Sequence, residues 1–265
     1  MSERFGSWRL DSLIAVGGLG EVWRAEREGI TAALKRLHTH LARIDEACAL
    51  FAIEQRLATE LPHHPGVAHA LDAGDVDGRP YLAMELAGGC DLRRLLAPPA
   101  TGDGVVPATV RLPRARAVAI AAAAAKAAAH LHAHGWVHGD LSPSNLVVDI
   151  DDRVVVVDLG VARRAGVGGP VRGSHAYMAP EQVRGAAWTP ATDVFALGVV
   201  LWELVSGTRL FHRGPPWLSQ AAVVEEEAPP LEDPALDAIA QAALAKDPAR
   251  RTATASELAA RLRGL

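Results

Sequence analysis

The feature that most constrains this chain is an ordered set of three side chains: Asp140, Asn145 five positions later, and Asp158 thirteen beyond that. Asp158 closes the apolar run Val154 to Val157. Between Asn145 and Asp158, LVVD and VVVVD flank Ile150-Asp151-Asp152-Arg153, the pattern of two short strands joined by a hairpin turn. Such a hairpin brings three oxygen donors together. Asp140 can orient an attacking hydroxyl and accept its proton, while Asn145 and Asp158 supply the hard oxygens that Mg²⁺ prefers. Taken singly, Asp and Asn also favour turns; the order and spacing carry the chemistry.

Upstream, IAVGGLGEV places Gly17, Gly18 and Gly20 at a turn between two expected strands. Without a Cβ, such a backbone can turn its N–H groups to phosphate oxygens, although a tight hairpin needs glycine too. Lys35 ends the run Ala32-Ala33-Leu34 on the third expected strand, and Glu54 lies on the helix that follows. A lysine that faces a triphosphate needs a carboxylate to hold it, a role Glu54 can fill. Either residue alone reads as an ordinary surface charge.

Short alternating segments, Trp8 to Val16, Glu21 to Glu28 and Ile30 to Leu37, predict antiparallel strands. Arg43 to Leu61 predicts a helix that Pro62 stops, Val67 to Leu71 and Pro80 to Leu86 predict two further strands, and Ala87-Gly88-Gly89 marks a joint. Beyond it helical patterns dominate, after a loop from Pro98 to Leu112. The chain has 265 residues and 49% hydrophobic content, enough for one domain of two lobes or two small domains. A net charge of -4 gives no basic footprint for nucleic acid, and two cysteines, Cys48 and Cys90, form no disulfide framework. The N-terminus lacks the apolar core of a secretory signal, so a cytoplasmic location is expected. The alanine-rich stretch Ala117 to Ala129 is too short to span a membrane and contains Lys126, so a buried helix and no membrane segment are expected.

These motifs together resemble the protein kinase family over nearly the full length, in wording similar to bacterial serine/threonine kinases. The glycine loop, Lys35, Glu54, His138 to Asn145, Asp158-Leu159-Gly160 and Ala179-Pro180-Glu181 occur in the family's order. Asp193 lies in a stretch similar to the family's central helix, and Arg251 matches the arginine that pairs with Glu181. The resemblance implies an α+β, bilobal fold: an antiparallel β-sheet N-lobe with one main helix over residues 1–86, and a mostly α-helical C-lobe over 87–265. It implies ATP and Mg²⁺ as cofactors and a protein substrate with a serine or threonine acceptor. By the same resemblance Asp140, Lys35 and Glu54 are catalytic, and Asn145 and Asp158 hold the metal. Val16, Gly17, Gly18, Gly20, Val22, Ala33 and Met84 would line the nucleotide, Glu85 and Ala87 would bind adenine, and Asp91 would reach the ribose or cap a helix.

Three positions depart from the family. Ala15 stands for the first loop glycine, Gly139 for an arginine that anchors a phosphorylated activation loop, and Ser142 for a lysine that contacts the transferring phosphate. Between Asp158 and Glu181 the hydroxyl residues are Ser174 and Tyr177, so activity independent of activation-loop phosphorylation is expected. Loss of one preorganised donor costs about 3 to 4 kcal/mol if nothing replaces it, which predicts slow turnover. A pseudokinase that binds nucleotide without turnover, and a small-molecule kinase sharing the His-Gly-Asp triplet, are the alternatives. The segment Gly173 to Gln182, which shapes a peptide-docking surface, speaks against the latter.

Overall fold

Two Xaa-Gly pairs fold the first strands onto one another. Glu28-Gly29 and Asp77-Gly78 all have positive φ, the conformation that two-residue hairpin turns require. A computed structural model describes residues 3–97, 110–169 and 171–265. The chain divides into two compact units, Met1–Gly88 with Asp158–Gly160, and Gly89–Val157 with Val161–Leu265.

The first unit contains β1 (Glu3–Phe5), β2 (Trp8–Val16), β3 (Gly20–Arg27), β4 (Ile30–Leu37), α1 (Asp45–Glu60), β5 (Ala70–Val76) and β6 (Arg79–Glu85). The strands form one sheet in the order β1-β2-β3-β4-β6-β5, antiparallel throughout. One face packs around Trp8, Leu10, Leu34 and Tyr81. α1 buries Ala47, Phe51, Glu54, Leu57 and Ala58, the spacing of a single helical stripe, so Glu54 is a charge placed on the apolar face. The helix ends where Leu61 turns extended ahead of Pro62.

The strand expected over Val67 to Leu71 lies further along, at Ala70–Val76. Val67 and Ala68 are buried but belong to the approach to the strand. β5 itself is an edge strand, and its sequence ALDAGDV lacks the alternation of a half-buried one. Asp72 within it earns its place by accepting hydrogen bonds from Trp8 Nε1 at 3.3 Å and Tyr81 Oη at 3.0 Å, and by pairing with Arg27.

The second unit contains β7 (Cys90–Asp91), α2 (Leu92–Leu95), α3 (Arg114–Ala133), β8 (Trp136–Val137), β9 (Leu146–Val148), β10 (Val154–Val156), β11 (Arg163–Arg164), α4 (Pro180–Val183), α5 (Pro190–Ser206), α6 (Pro216–Glu225), α7 (Pro234–Leu244) and α8 (Ala255–Arg263). The expected hairpin is the β9–β10 pair, joined by β7 into a three-stranded sheet; β8 pairs with β11. α5 is buried on every side from Ala191 to Val205, the signature of a central helix. At Gly198 an added Cβ would lie 2.8 Å from the Ala243 Cβ, so glycine sets how closely α5 meets α7. The alanines of α3 let it pack against α5 and α8. Most of the loop expected over Pro98 to Leu112, residues 98–109, lies outside the described residues. No helix among the described residues is long and apolar enough to cross a membrane.

Candidate active site

In the first unit the sheet register gathers four of the expected residues. Lys35 pairs with Val22 on β3, and Ala33 pairs with Met84 on β6, so Val22, Ala33, Lys35 and Met84 share one face. Val16 is turned away from them: it pairs with Glu21, on the opposite side of the strands from Val22, and is 64% exposed. The structure therefore does not bring Val16 to this set. The three glycines also separate. A Cβ on Gly20 would overlap the Arg36 carbonyl on β4, so the sheet itself demands glycine there. Gly18 has open space around it among the described residues, and Gly17 closes the turn by donating its N–H to the Gly20 carbonyl at 2.8 Å. Glu85 donates its N–H to the His69 carbonyl at 2.9 Å.

Lys35 is the centre of this unit's charge. Its Nζ donates to both Glu54 oxygens at 2.7 and 2.8 Å and to Asp158 Oδ1 at 2.7 Å. Burial opposes the ammonium, but the Glu54 and Asp158 carboxylates outweigh it and hold Lys35 above its ordinary pKa. Burial lifts the Glu54 carboxyl to about 7, and the neighbouring Asp158 charge adds to the lift against the pull of Lys35. Asp158 adopts φ +63°, strained for a residue other than glycine. Two residues on, a Cβ at Gly160 would lie 3.0 Å from Glu54 Oε2 and 3.1 Å from Asp158 Oδ1, so glycine lets the chain pass against the cluster.

The second unit holds the loop from His138 to Asn145 that the resemblance marks as catalytic. Asp140 Oδ1 accepts from the Ser174 amide at 2.7 Å, and its Oδ2 and carbonyl accept from Asn145 Nδ2 at 3.0 and 2.8 Å. Gly173, with φ +111°, permits this approach: a Cβ there would lie 2.8 Å from Asp140 Oδ1. Ser142 is fully buried and receives a hydrogen bond from Ser174 Oγ at 3.1 Å. Asp91 caps α2, accepting from the Arg94 amide at 2.9 Å.

The loop is anchored from below by Asp193, whose role sequence reasoning missed. Its carboxylate accepts from the His138 and Gly139 amides, both at 2.8 Å, and shares a hydrogen bond with His132 Nε2 at 2.8 Å. Burial works to raise the Asp193 carboxyl, but His132, His138 and the Gly139 amide outweigh it and hold it below the ordinary carboxylate range. The available signal was an acidic residue just inside an otherwise apolar helix, where a buried charge needs partners.

Gly139 itself has φ +77°, and a Cβ on it would overlap the Trp188 ring. On Trp188, which is 1% exposed, the Arg163 guanidinium stacks at 3.8 Å from the ring centroid and donates Nη1 to the Gly168 carbonyl at 2.9 Å. Two backbone bonds complete the clasp: Gly166 N–H to the Trp188 carbonyl at 2.7 Å, and Trp188 N–H to the Val167 carbonyl at 3.3 Å. Gln182 Nε2 donates to the Gly139 carbonyl at 2.8 Å. Glu181 and Arg251, expected as partners, form a two-pronged ion pair at 2.8 and 3.1 Å.

The glycine turn, the lysine held by a helix glutamate and the loop from His138 to Asn145 are each built as the protein kinase resemblance implies. The protein kinase domain family matches residues 8–261, and the chain belongs to it, with that family's α+β, bilobal fold. It is similar to serine/threonine-protein kinase PknA of Mycobacterium tuberculosis, at 33% identity over 261 residues, covering 93% of this chain and 58% of that one. It is also similar to serine/threonine-protein kinase pkn3 of Myxococcus xanthus, at 31% identity, covering 97% of this chain and 50% of the relative. A third relative is the probable serine/threonine-protein kinase PknB of Corynebacterium glutamicum, at 31% identity and coverage of 96% and 41%. The chain thus spans about half the length of these curated relatives.

Proposed function

We propose that this chain transfers the γ-phosphoryl group of ATP to a serine or threonine hydroxyl of a protein. The observation that carries the reading is the contact between Asp140 and the Ser174 amide, which ties the segment expected to dock a peptide to the residue expected to take the acceptor's proton. Lys35, oriented by Glu54, faces the α- and β-phosphates of the nucleotide. Gly17 and Gly18 turn their backbone to the phosphates, while Val22, Ala33 and Met84 present one apolar face to adenine. The Glu85 N–H is already spent on His69, so the carbonyl of Glu85 and the backbone of Ala87 serve adenine. Asp91 caps α2 through Oδ1, and its other oxygen is assigned to the ribose.

Asn145 and Asp158 suit Mg²⁺ as donors: a carboxylate, and an amide whose nitrogen is engaged by Asp140 so that its oxygen is the group offered. When bound, the cation neutralises charge on the phosphates. In the transfer the acceptor oxygen bonds to the γ-phosphorus as the bond from phosphorus to the β–γ bridging oxygen breaks. The hydroxyl proton passes to Asp140, and ADP leaves. Cytoplasmic placement goes with this reading.

The test is transfer from γ-labelled ATP to a serine-containing protein acceptor by wild type and by Asp140→Asn. Labelling by wild type alone is expected, whereas equal labelling by both sinks the mechanism. Nucleotide binding with no transfer by either would assign the chain as a pseudokinase, a reading the buried Ser142 hydroxyl favours. Labelling confined to small alcohols would assign a small-molecule kinase.

A further inference from the structure

Beside Ser174 the second unit carries a cavity of about 170 Å³ lined by the guanidinium groups of Arg93 and Arg209 and the imidazoles of His175 and His212; no carboxylate lines it among the described residues. Arg93, exposed on α2, donates Nε to Ser144 Oγ at 2.7 Å, an uncharged partner, and its charge also acts on the Glu203 carboxylate. Arg209 lies over the Tyr177 ring and 3.5 Å from Glu203. Glu203 is buried and already accepts from Tyr177 Oη at 2.7 Å and the Leu210 amide at 3.0 Å, and Arg209 Nε has no hydrogen-bond partner among the described residues. His175 Nδ1 shares a hydrogen bond with Gln220 at 3.0 Å. Nearby, Arg213 is turned to Glu226. Burial, together with Arg209, Arg93 and Arg213, holds the His212 imidazole below its usual pKa, as a locally positive potential does.

The cavity shares Ser174 with Asp140, whose Oδ1 is 2.7 Å from the Ser174 amide. An extended peptide with its hydroxyl at Asp140 advances about 3.3 Å per residue, so a side chain close in sequence to the acceptor can enter the cavity. We infer that the acceptor peptide carries an anionic side chain near the phosphorylated hydroxyl, received by Arg93 and Arg209. This specificity rests on the protein kinase reading above. Guanidinium groups fit both carboxylate and phosphate.

The experiment uses the full chain and peptides with one acceptor serine in an alanine background. Glu, Gln, Lys or phosphoserine is placed in turn at each flanking position. A charge-assisted contact predicts that Glu exceeds Gln in kcat/KM by about tenfold at one or two positions, mainly through KM, with Lys the poorest and the advantage shrinking in salt. Arg93→Ala collapses the Glu-to-Gln ratio toward one, and Arg93→Glu restores turnover on the matching Lys peptide. Phosphoserine outrunning Glu at the same position identifies phosphate rather than carboxylate as the natural anion. Removal of Arg209 also strips a partner from buried Glu203, so the exposed Arg93 carries the test if Arg209→Ala folds poorly. Equal rates for Glu and Gln at every position, or an Arg93→Ala loss equal for both peptides, overturns the assignment. Fluorescence anisotropy of the same labelled peptides reads the cavity without turnover. If no peptide is phosphorylated the kinase reading fails, and a Glu-over-Gln binding preference that Arg93→Ala removes still supports the anionic site; its absence overturns it.

Discussion

In the first unit one cation, Lys35, is held by two carboxylates at hydrogen-bond distance; in the second, Gly139 lies under the Trp188 ring, on which Arg163 stacks, and Ser142 accepts a hydrogen bond from Ser174. The Lys35 cluster is built from full charges. Around Gly139 shape decides: its φ is positive, and Trp188 occupies the space a side chain would take. The two regions therefore respond to different perturbations. The first is sensitive to loss of charge, the second to loss of shape.

The largest effect is expected at Lys35. Lys35→Ala leaves Glu54 buried beside Asp158 with no counter-charge, which costs about 3 to 5 kcal/mol of stability. Transfer falls by roughly 10² to 10³ through loss of the phosphate donor. Thermal unfolding and kcat/KM for ATP read the two losses separately, and wild-type values for both would dissolve the contrast. Next comes Gly139→Arg, which restores the family's charge but not the space for it. With φ +77° and the Trp188 ring in the way, the variant loses about 2 to 4 kcal/mol and turns over more slowly. A stable, faster Gly139→Arg enzyme would show that shape does not govern this region.

Ser142→Ala removes the hydrogen bond from Ser174 and is expected to lower kcat by about fivefold, the worth of roughly 1 kcal/mol, with KM for ATP unchanged. An equal rise in KM for ATP would show that the Ser142–Ser174 bond supports nucleotide binding rather than the transfer step. The smallest effect is on pH dependence. Glu54, with a pKa lifted to about 7, takes up a proton as pH falls through that value and stops balancing Lys35. A few-fold decline in kcat/KM for ATP below about pH 7 follows, and Glu54→Gln should flatten that limb while lowering the plateau. A limb that survives Glu54→Gln belongs to another group.

Much of this was legible in the sequence because the residues involved are close together or carry strong local patterns. The β9–β10 hairpin, α1 with Glu54 on its face, and the strand that bears Lys35 all follow from periodicity and turn residues. The displaced β5 was not legible, since an edge strand built around Asp72 carries no alternating pattern. Nor were the roles of the glycines: Gly18 and Gly20 look alike in sequence, yet only the position of β4 shows that Gly20 is fixed by the Arg36 carbonyl. Trp188 over Gly139 and Ser174 on Ser142 join positions distant along the chain, and no local propensity encodes such pairings. Gly139 read as a missing arginine; the structure shows a left-handed residue under a ring.

The central claim is that this chain arranges its catalytic loop without a phosphate on the activation segment. It is tested most directly by following the first turnovers of chain freed of all phosphate and verified by mass. The account predicts transfer at the steady-state rate from the first turnover, with no lag and no gain after incubation with ATP. A lag that disappears as the chain becomes phosphorylated would contradict it.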